Sequence, residues 1–524
     1  MSHSSTTESA ESAETCITSV PVNTSDGAVN HDGEEIEGVQ SYSALTKWQK
    51  YTIVCIVGSA AFFSTISSSI FFPAITEIAA DLQLSIEKIN LLVTVYLIFQ
   101  AITPSFWAPL ADVFGRRLIS LSTLAVYIGA CLGITQARRY GMLIFLRCLQ
   151  ATGGSSVVAV ALGTVADIAA PSERAGFVAI ASLGPLSAPA IGPIVGAFLT
   201  QTLGWRSIFW ILAAFACVTW VTVLLFLPET LRSIVGDGSY PCSKQYKPLT
   251  ELLRASETRN LVKNVALKKR KSMRDVDFLA SFKILLEKDI ICLMTYGGIL
   301  YAVWYGLLTS LASDFKATYN LSTVQLGLCF LPNGIGCIIG MIACRRIMDR
   351  DFKIVASQTA SKEGTEQESL VPKSRAGIRD LENFPIEHAR LRSVPIVFFL
   401  FTTSLLIYGW TLQYQVHISV PLTASFVNGA VFMIIINGVG TLAVDCFPEN
   451  SSSATASNNL VRCLAGAGAT AAIKPLIIAI NSGPAFTLLV GMSLLAGLLC
   501  VLEWRYGQAW RQERGRRLLP TLAE

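Results

Sequence analysis

Arg147, Arg462 and Lys474 are basic residues set inside long apolar stretches of a 524-residue chain. A charge held in hydrocarbon without a partner costs several kcal/mol, so such residues face a cavity or a counter-ion. Asp112, Asp167, Asp289 and Asp445 fall at the ends of those stretches, and no carboxylate lies in the middle of one. Three cations without an acid among them favour a bound anion, and a small di- or tricarboxylate is the ligand this chemistry points to. Gln150 lies three residues beyond Arg147 and shares its helical face. Asn437 adds a hydrogen-bonding amide, as do Gln100 and Asn428, while Tyr301 and Trp304, with Tyr96, Phe99 and Tyr305, add stacking surfaces. Each has a plainer reading. A long basic side chain can snorkel to the membrane boundary, an amide can join two helices for about 1 kcal/mol, and aromatic rings can simply pack. Proton coupling needs an acid or His along the path, and Asp112 and Asp167 at one end and His417 near the other are the residues at hand.

Apolar residues make up 52% of the chain and charged residues 15%, with a mean hydropathy of +0.52, which is more apolar surface than a water-soluble core uses. They recur in blocks of roughly 20 residues, the length with which a helix crosses about 30 Å of hydrocarbon. Spanning helices are expected near 50–72, 89–110, 118–136, 142–166, 175–200, 206–228, 289–312, 323–344, 394–413, 418–445, 454–480 and 484–503, twelve in all. The expected fold is an all-α membrane protein with twelve transmembrane helices in two pseudo-symmetric six-helix bundles around one cavity. The bundles cover 47–228 and 289–504, joined by a polar central loop at 229–288, with a second loop at 345–393, an N-terminal tail at 1–46 and a C-terminal tail at 505–524.

Lys263, Lys268, Lys269, Arg270, Lys271 and Arg274 in the central loop, Arg345, Arg346, Arg350 and Lys353 after the eighth span, and Arg511, Arg514, Arg516 and Arg517 in the tail all fall on one side, together with Arg116 and Arg117. Cytoplasmic loops collect such charge, so both termini are expected inside; Arg138 and Arg139 run against the trend. The polar N-terminal tail is expected to be disordered, and no basic segment followed by a short apolar run marks a signal peptide. Of the sequons, only the one at Asn320 falls on the outer side; those at Asn23 and Asn450 fall inside.

Between the second and third spans runs Ala108-Pro-Leu-Ala-Asp112-Val-Phe-Gly115-Arg116-Arg117. An acid, a turn-forming Gly and two Arg in a short loop can pin helix ends and release them when the helices move. The loop resembles the major facilitator signature G-x-L-a-D-x-x-G-R-R/K, with Ala108 in place of the first Gly. Arg147-Cys-Leu-Gln150-Ala151 resembles the R-x-x-Q-G element of that family, and Ala188-Pro189-Ala-Ile-Gly192-Pro193-Ile-Val-Gly196-Ala197 its exchanger element. Small residues let helices approach closely and Pro bends them, which suits a gating interface but also suits packing alone. The halves echo one another. Asp167 closes span four and Asp445 span ten, Gly192-Pro193 in span five is answered by Lys474-Pro475 in span eleven, and Asp349-Arg350 reads as a reduced copy of the first loop.

Leu227-Pro-Glu-Thr-Leu-Arg, Asn383-Phe-Pro-Ile-Glu-His-Ala-Arg390 and Asn458-Asn-Leu-Val-Arg462 resemble fungal proton antiporters of the twelve-span drug group, in the branch that holds quinidine-resistance-type and citrate exporters. The resemblance implies a secondary transporter that exports small organic molecules by alternating access and proton antiport, and the intramembrane cations tilt it toward organic acids. Multidrug or secondary-metabolite efflux is the alternative, and a non-transporting substrate sensor a remoter one, since a sensor would carry longer cytoplasmic extensions. Expected partners are a small-molecule substrate, protons and the lipid bilayer, with no nucleic acid, in a monomer at the plasma membrane, the vacuolar membrane being the other location. No nucleotide-binding or hydrolase motif occurs, and the 13 cysteines show no paired spacing, so neither an enzyme, a cofactor, a metal site nor a disulfide framework is expected.

Overall fold

A computed structural model of the chain describes residues 43–169, 173–236, 246–250, 280–363, 384–447 and 451–518. The long helices are Lys47–Ser69 (α1), Ile86–Phe114 (α2), Arg116–Gln136 (α3), Tyr140–Ile168 (α4), Arg174–Leu203 (α5), Arg206–Phe226 (α6), Lys288–Tyr319 (α7), Leu331–Glu363 (α8), Val394–Gln413 (α9), Ser419–Cys446 (α10), Ser451–Ile480 (α11) and Ser482–Leu518 (α12). Among the described residues, eleven helices are long and apolar enough to cross a membrane. The 30-residue α5 stands where the fifth expected span falls. Most of the N-terminal tail, the basic residues of the central loop from Lys263 to Arg274 and Asn450 lie outside the described residues.

Local chemistry sets the breaks. Thr46 opens α1 with a capping box, its hydroxyl accepting from the Gln49 N–H while Gln49 Oε1 accepts from the Thr46 N–H. Gly115, at φ +104°, separates α2 from α3 in a conformation that side-chain-bearing residues rarely adopt. Several helices outrun the apolar blocks that announce them: α7 reaches Tyr319 rather than 312, and α8 and α12 continue well past 344 and 503. Hydropathy marks the hydrocarbon, whereas backbone hydrogen bonding carries the helix on beyond it.

The packing repeats itself after six helices. In the first half α1 lies against α5, α3 against α4 and α6, and α2 against α4; in the second α7 lies against α11, α9 against α10 and α12, and α8 against α10. Two crossed contacts join the halves: α11 packs on α2, and α5 on α8 together with the short helix Thr323–Cys329 before it. Large apolar side chains such as Phe145, Phe198, Phe215, Ile396 and Phe399 point outward, as lipid-facing residues do. The end of the molecule that carries the 108–117 loop is called the signature-loop end below.

Candidate functional site: two arginines at the seam and the charged ends of the helices

Arg147 lies about 10 Å along α4 at a rise of about 1.5 Å per residue, and it is only 1% exposed. It does not snorkel. Its guanidinium sits 4.4 Å from the Phe71 ring centre and 4.6 Å from that of Tyr96. Nη1 donates to Gln150 Oε1 at 2.7 Å, and Gln150 Nε2 donates to Cys131 Sγ at 3.2 Å. Gln150 is thus the clamp that orients the arginine. Arg147 Nε and Nη2 are buried and have no partner.

Arg462 on α11 faces the same seam from the second half. Its Nη2 donates to Asn459 Oδ1 at 3.1 Å, its guanidinium lies 4.9 Å over Tyr301, and its Nε is buried without a partner. Asn459 Nδ2 in turn donates to Gln100 O across the halves at 3.0 Å. Tyr301 stacks on Tyr305 at 4.8 Å, Tyr305 meets Phe72 at 6.1 Å, and Trp304 lies nearly parallel to Phe432 at 4.4 Å with Nε1 buried and unpartnered. Aromatic faces compensate part of the cost of burying a guanidinium, yet they leave its N–H donors unused. The structure therefore brings together Arg147, Gln150, Arg462, Tyr301 and Trp304 along one aromatic seam.

Two expected site residues fall elsewhere. Lys474 is not an unpaired cation, because Nζ forms an ion pair with Asp314 Oδ1. The apolar block that marks span seven ends at 312, and α7 runs on through two further turns that carry this buried acid. Asn437 donates to the Met433 carbonyl of its own helix at 2.7 Å and lines a separate cleft of about 300 Å³ with Arg345, Asp349 and Arg390.

The signature loop is built as a charged latch. Arg116 pairs with Asp112 at 2.7 Å and donates from Nε to Asp167 at 3.0 Å, while Arg117 Nη2 donates to the Leu224 carbonyl at 2.8 Å. Glu229, just beyond α6, accepts from the backbone N–H of Arg116 at 2.8 Å and of Arg117 at 3.3 Å, so its carboxylate sits at the positive N-terminus of α3. It also accepts from the N–H of Thr230 and Leu231 at 3.0 and 3.1 Å. Burial pushes the Glu229 carboxyl above the usual range, against the pull of these four amides. At φ +104° Gly115 is strained for any side chain, and a Cβ there would also press on that carboxylate.

The second half has its own latch, but Arg350 is not its centre. Arg390, just before α9, donates from Nε to Asp445 at 2.9 Å, as Arg116 does to Asp167. Glu387 accepts from Arg511 Nε at 2.8 Å, and Arg514 binds Asp289. Sequence reasoning gave no role to Glu229 or Arg390; each lies within a quoted stretch, but the loop ahead of Arg390 hid its register with Arg116.

At the opposite end the halves touch directly. Lys316 Nζ binds Glu77 Oε1 at 2.7 Å and Thr76 at 3.2 Å, Thr323 donates to Glu77 at 2.9 Å, and the Thr94 and Thr470 hydroxyls bond at 2.9 Å. Among the described residues, the ion pairs of Arg116, Arg390, Arg511 and Arg514 at the signature-loop end each stay within one half.

The glycines of α5 permit close helix approach, as their spacing suggests. A Cβ on Gly192 would meet Ser69 and Ile70 of the first helix region, one on Gly196 the Ile70 carbonyl, and one on Gly327 would meet Ala197 and the Pro193 carbonyl. Because the obstacle at Gly196 is backbone, Gly196→Leu should cost about 1–3 kcal/mol or more by overpacking. The expected readout is a lower melting temperature in detergent and poor membrane yield, with Gly468→Leu, whose Cβ position is open, as the tolerated control.

An all-α chain of this length, with a six-helix pattern of pairings that occurs twice and buried charges at the seam, has the architecture of a multi-pass membrane transporter. The family model described as "Major Facilitator Superfamily" matches residues 57–470, and the chain belongs to that superfamily. It is 34% identical over 477 residues to "Citrate exporter 1" of Aspergillus niger, covering 90% of this chain and 89% of that one. It is equally 34% identical over 484 residues to "MFS-type transporter R5" of a Phoma species, covering 92% and 90%. Two solved structures share the fold: the human organic anion transporter MFSD10 (TETRAN), with a TM-score of 0.53 at 15% identity over 86% of this chain and 99% of that one, and a D-xylose-proton symporter, with a TM-score of 0.58 at 14% identity over 87% and 97%. Fold and relatives are those of transporters, not of an enzyme class.

Proposed function

We propose that this transporter exports small organic acids, of the di- or tricarboxylate kind, in exchange for protons by alternating access. The observation that carries the reading is the pair of arginines along one aromatic seam from opposite halves, Arg147 fully buried and Arg462 half-buried, with Arg147 Nε and Nη2 and Arg462 Nε buried and unpartnered. A guanidinium fork matches a carboxylate, and a bound polycarboxylate satisfies donors on both sides at once. Citrate export by a relative of 34% identity supports the same substrate class. The contacts that close the opposite end, from Glu77 to Lys316 and from Thr94 to Thr470, support a state with its access at the signature-loop end. The excess of Lys and Arg on that side supports its being cytoplasmic, with both termini inside and the monomer in the plasma membrane.

A second reading, efflux of drugs or secondary metabolites, is favoured by the rings of Tyr301, Trp304, Tyr305 and Phe432, which offer stacking to a flat hydrophobic cation. Efflux of labelled citrate or itaconate and of a cationic dye, measured in the same cells with and without the transporter, separates the two. Carboxylate efflux that follows expression while dye efflux does not is the expected result. The opposite pattern overturns the anion reading.

A further inference from the structure

The charge balance of the second half contains an acid that neither the seam nor the latches use. Asp314 on α7 pairs through Oδ1 with Lys474 on α11, and its Oδ2 is buried without a partner. Ser310, one turn toward the signature-loop end, and Tyr408 of α9 carry buried hydroxyls that face one another, and Tyr408 also lies beside Asp314. Tyr408 also lies near Cys329 on the short helix before α8 and Tyr319 on α7, and Lys316, two residues beyond Asp314, is tied to Glu77 across the halves. The two helices that the pair joins are the ones that close the opposite end. Two residues beyond Asp314, Lys316 holds Glu77 of the first half, and one turn before Lys474, Thr470 holds Thr94.

We propose that Asp314 is the proton-binding group of the transport cycle, with Lys474 its counter-ion. This rests on the antiport reading above. When that end parts, a proton from its solvent forms an O–H bond on the Asp314 carboxylate. Lys474 keeps its three protons and loses its anionic acceptor, and α7 and α11 are no longer held in one register. The opposite end closes over the neutral acid, and release of the proton toward the signature-loop end restores the ion pair. Protein groups that carry protons in transporters are buried acids with one partner to gain or lose, and Asp314, 9% exposed, is paired between two helices that both cross-link the halves.

The test uses the full chain in proteoliposomes with labelled citrate, or with the cationic dye if the efflux comparison selects it. Two quantities are read: accumulation driven by a pH gradient, and exchange of labelled for unlabelled substrate at equal pH on both sides. Wild type should show both. Asp314→Asn should keep exchange within a few-fold and lose gradient-driven accumulation, because exchange needs no net proton movement. Since Asp314→Asn strands Lys474, the double variant D314N/K474Q, which removes both charges, is measured beside it and should give a monodisperse protein with the same split. A wild type indifferent to the gradient overturns the antiport reading and this assignment with it. A wild type that responds, with variants that respond equally, overturns the assignment alone. A double variant that does not fold makes the pair a structural tie and also overturns it.

Discussion

Arg147→Ala is expected to lower carboxylate efflux by about a hundredfold or more, since a hydrogen bond to a charged group contributes roughly 1.5–3 kcal/mol and the guanidinium offers two unused donors. The effect should appear in KM as well as in the maximal rate, because the interaction is made with bound substrate before the halves rearrange. Arg147→Lys keeps the charge but loses the planar fork and the fit between Phe71 and Tyr96, so it should recover only a small part of the activity. Gln150→Ala should fall between, because it removes the acceptor that holds Nη1 without removing a donor to substrate. The measurement is the initial rate of labelled citrate efflux against concentration, at matched surface expression. Activity within about threefold of wild type for Arg147→Ala, below the roughly 1.4 kcal/mol that a tenfold change represents, would sink the anion reading.

Much of this architecture is legible in the sequence, and the reason is physical. A segment that crosses hydrocarbon must satisfy its backbone internally, so the apolar blocks translate directly into helices. The Asp112 to Arg117 loop is equally readable, because its acid, glycine and arginines act on one another within a few residues. What the sequence hides is pairing at a distance. Lys474 reads as a lone cation because its acid sits 160 residues earlier, past the point where hydropathy ends the seventh span. Arg390 and Asp445 are 55 residues apart, and the loop before α9 removes the local spacing that makes Arg116 recognisable. Asn437 reads as a cavity donor because residue type alone cannot say which face of α10 it occupies; its amide turns to Met433 of its own helix. Glu229 is hidden in another way: its partners are backbone N–H groups at the start of α3, which carry no residue-type signal.

The two latches differ in charge, and Arg116→Gln should therefore be the more damaging of two parallel substitutions. Arg116 stands between Asp112 and Asp167, its side chain 11% exposed and packed where Gly163 leaves room for the guanidinium. Removing one partner of a buried ionic cluster costs roughly 3–5 kcal/mol, discounted here because Asp112 is about a third exposed. Arg390→Gln strands only Asp445, and the lost stacking on Phe352 at 5.6 Å adds little. In detergent the first variant should melt well below the second, and both should lie below wild type. A third protein separates stability from movement: Asp112→Asn and Asp167→Asn added to Arg116→Gln remove the three charges of the cluster together, so much of the melting temperature should return. Transport should not return with it, because neutral side chains still bond in one arrangement but lack the charge-assisted contacts that must break and re-form as the halves move. If the triple variant regains both stability and efflux, the loop is a structural clip, and alternation is governed by contacts at the opposite end alone.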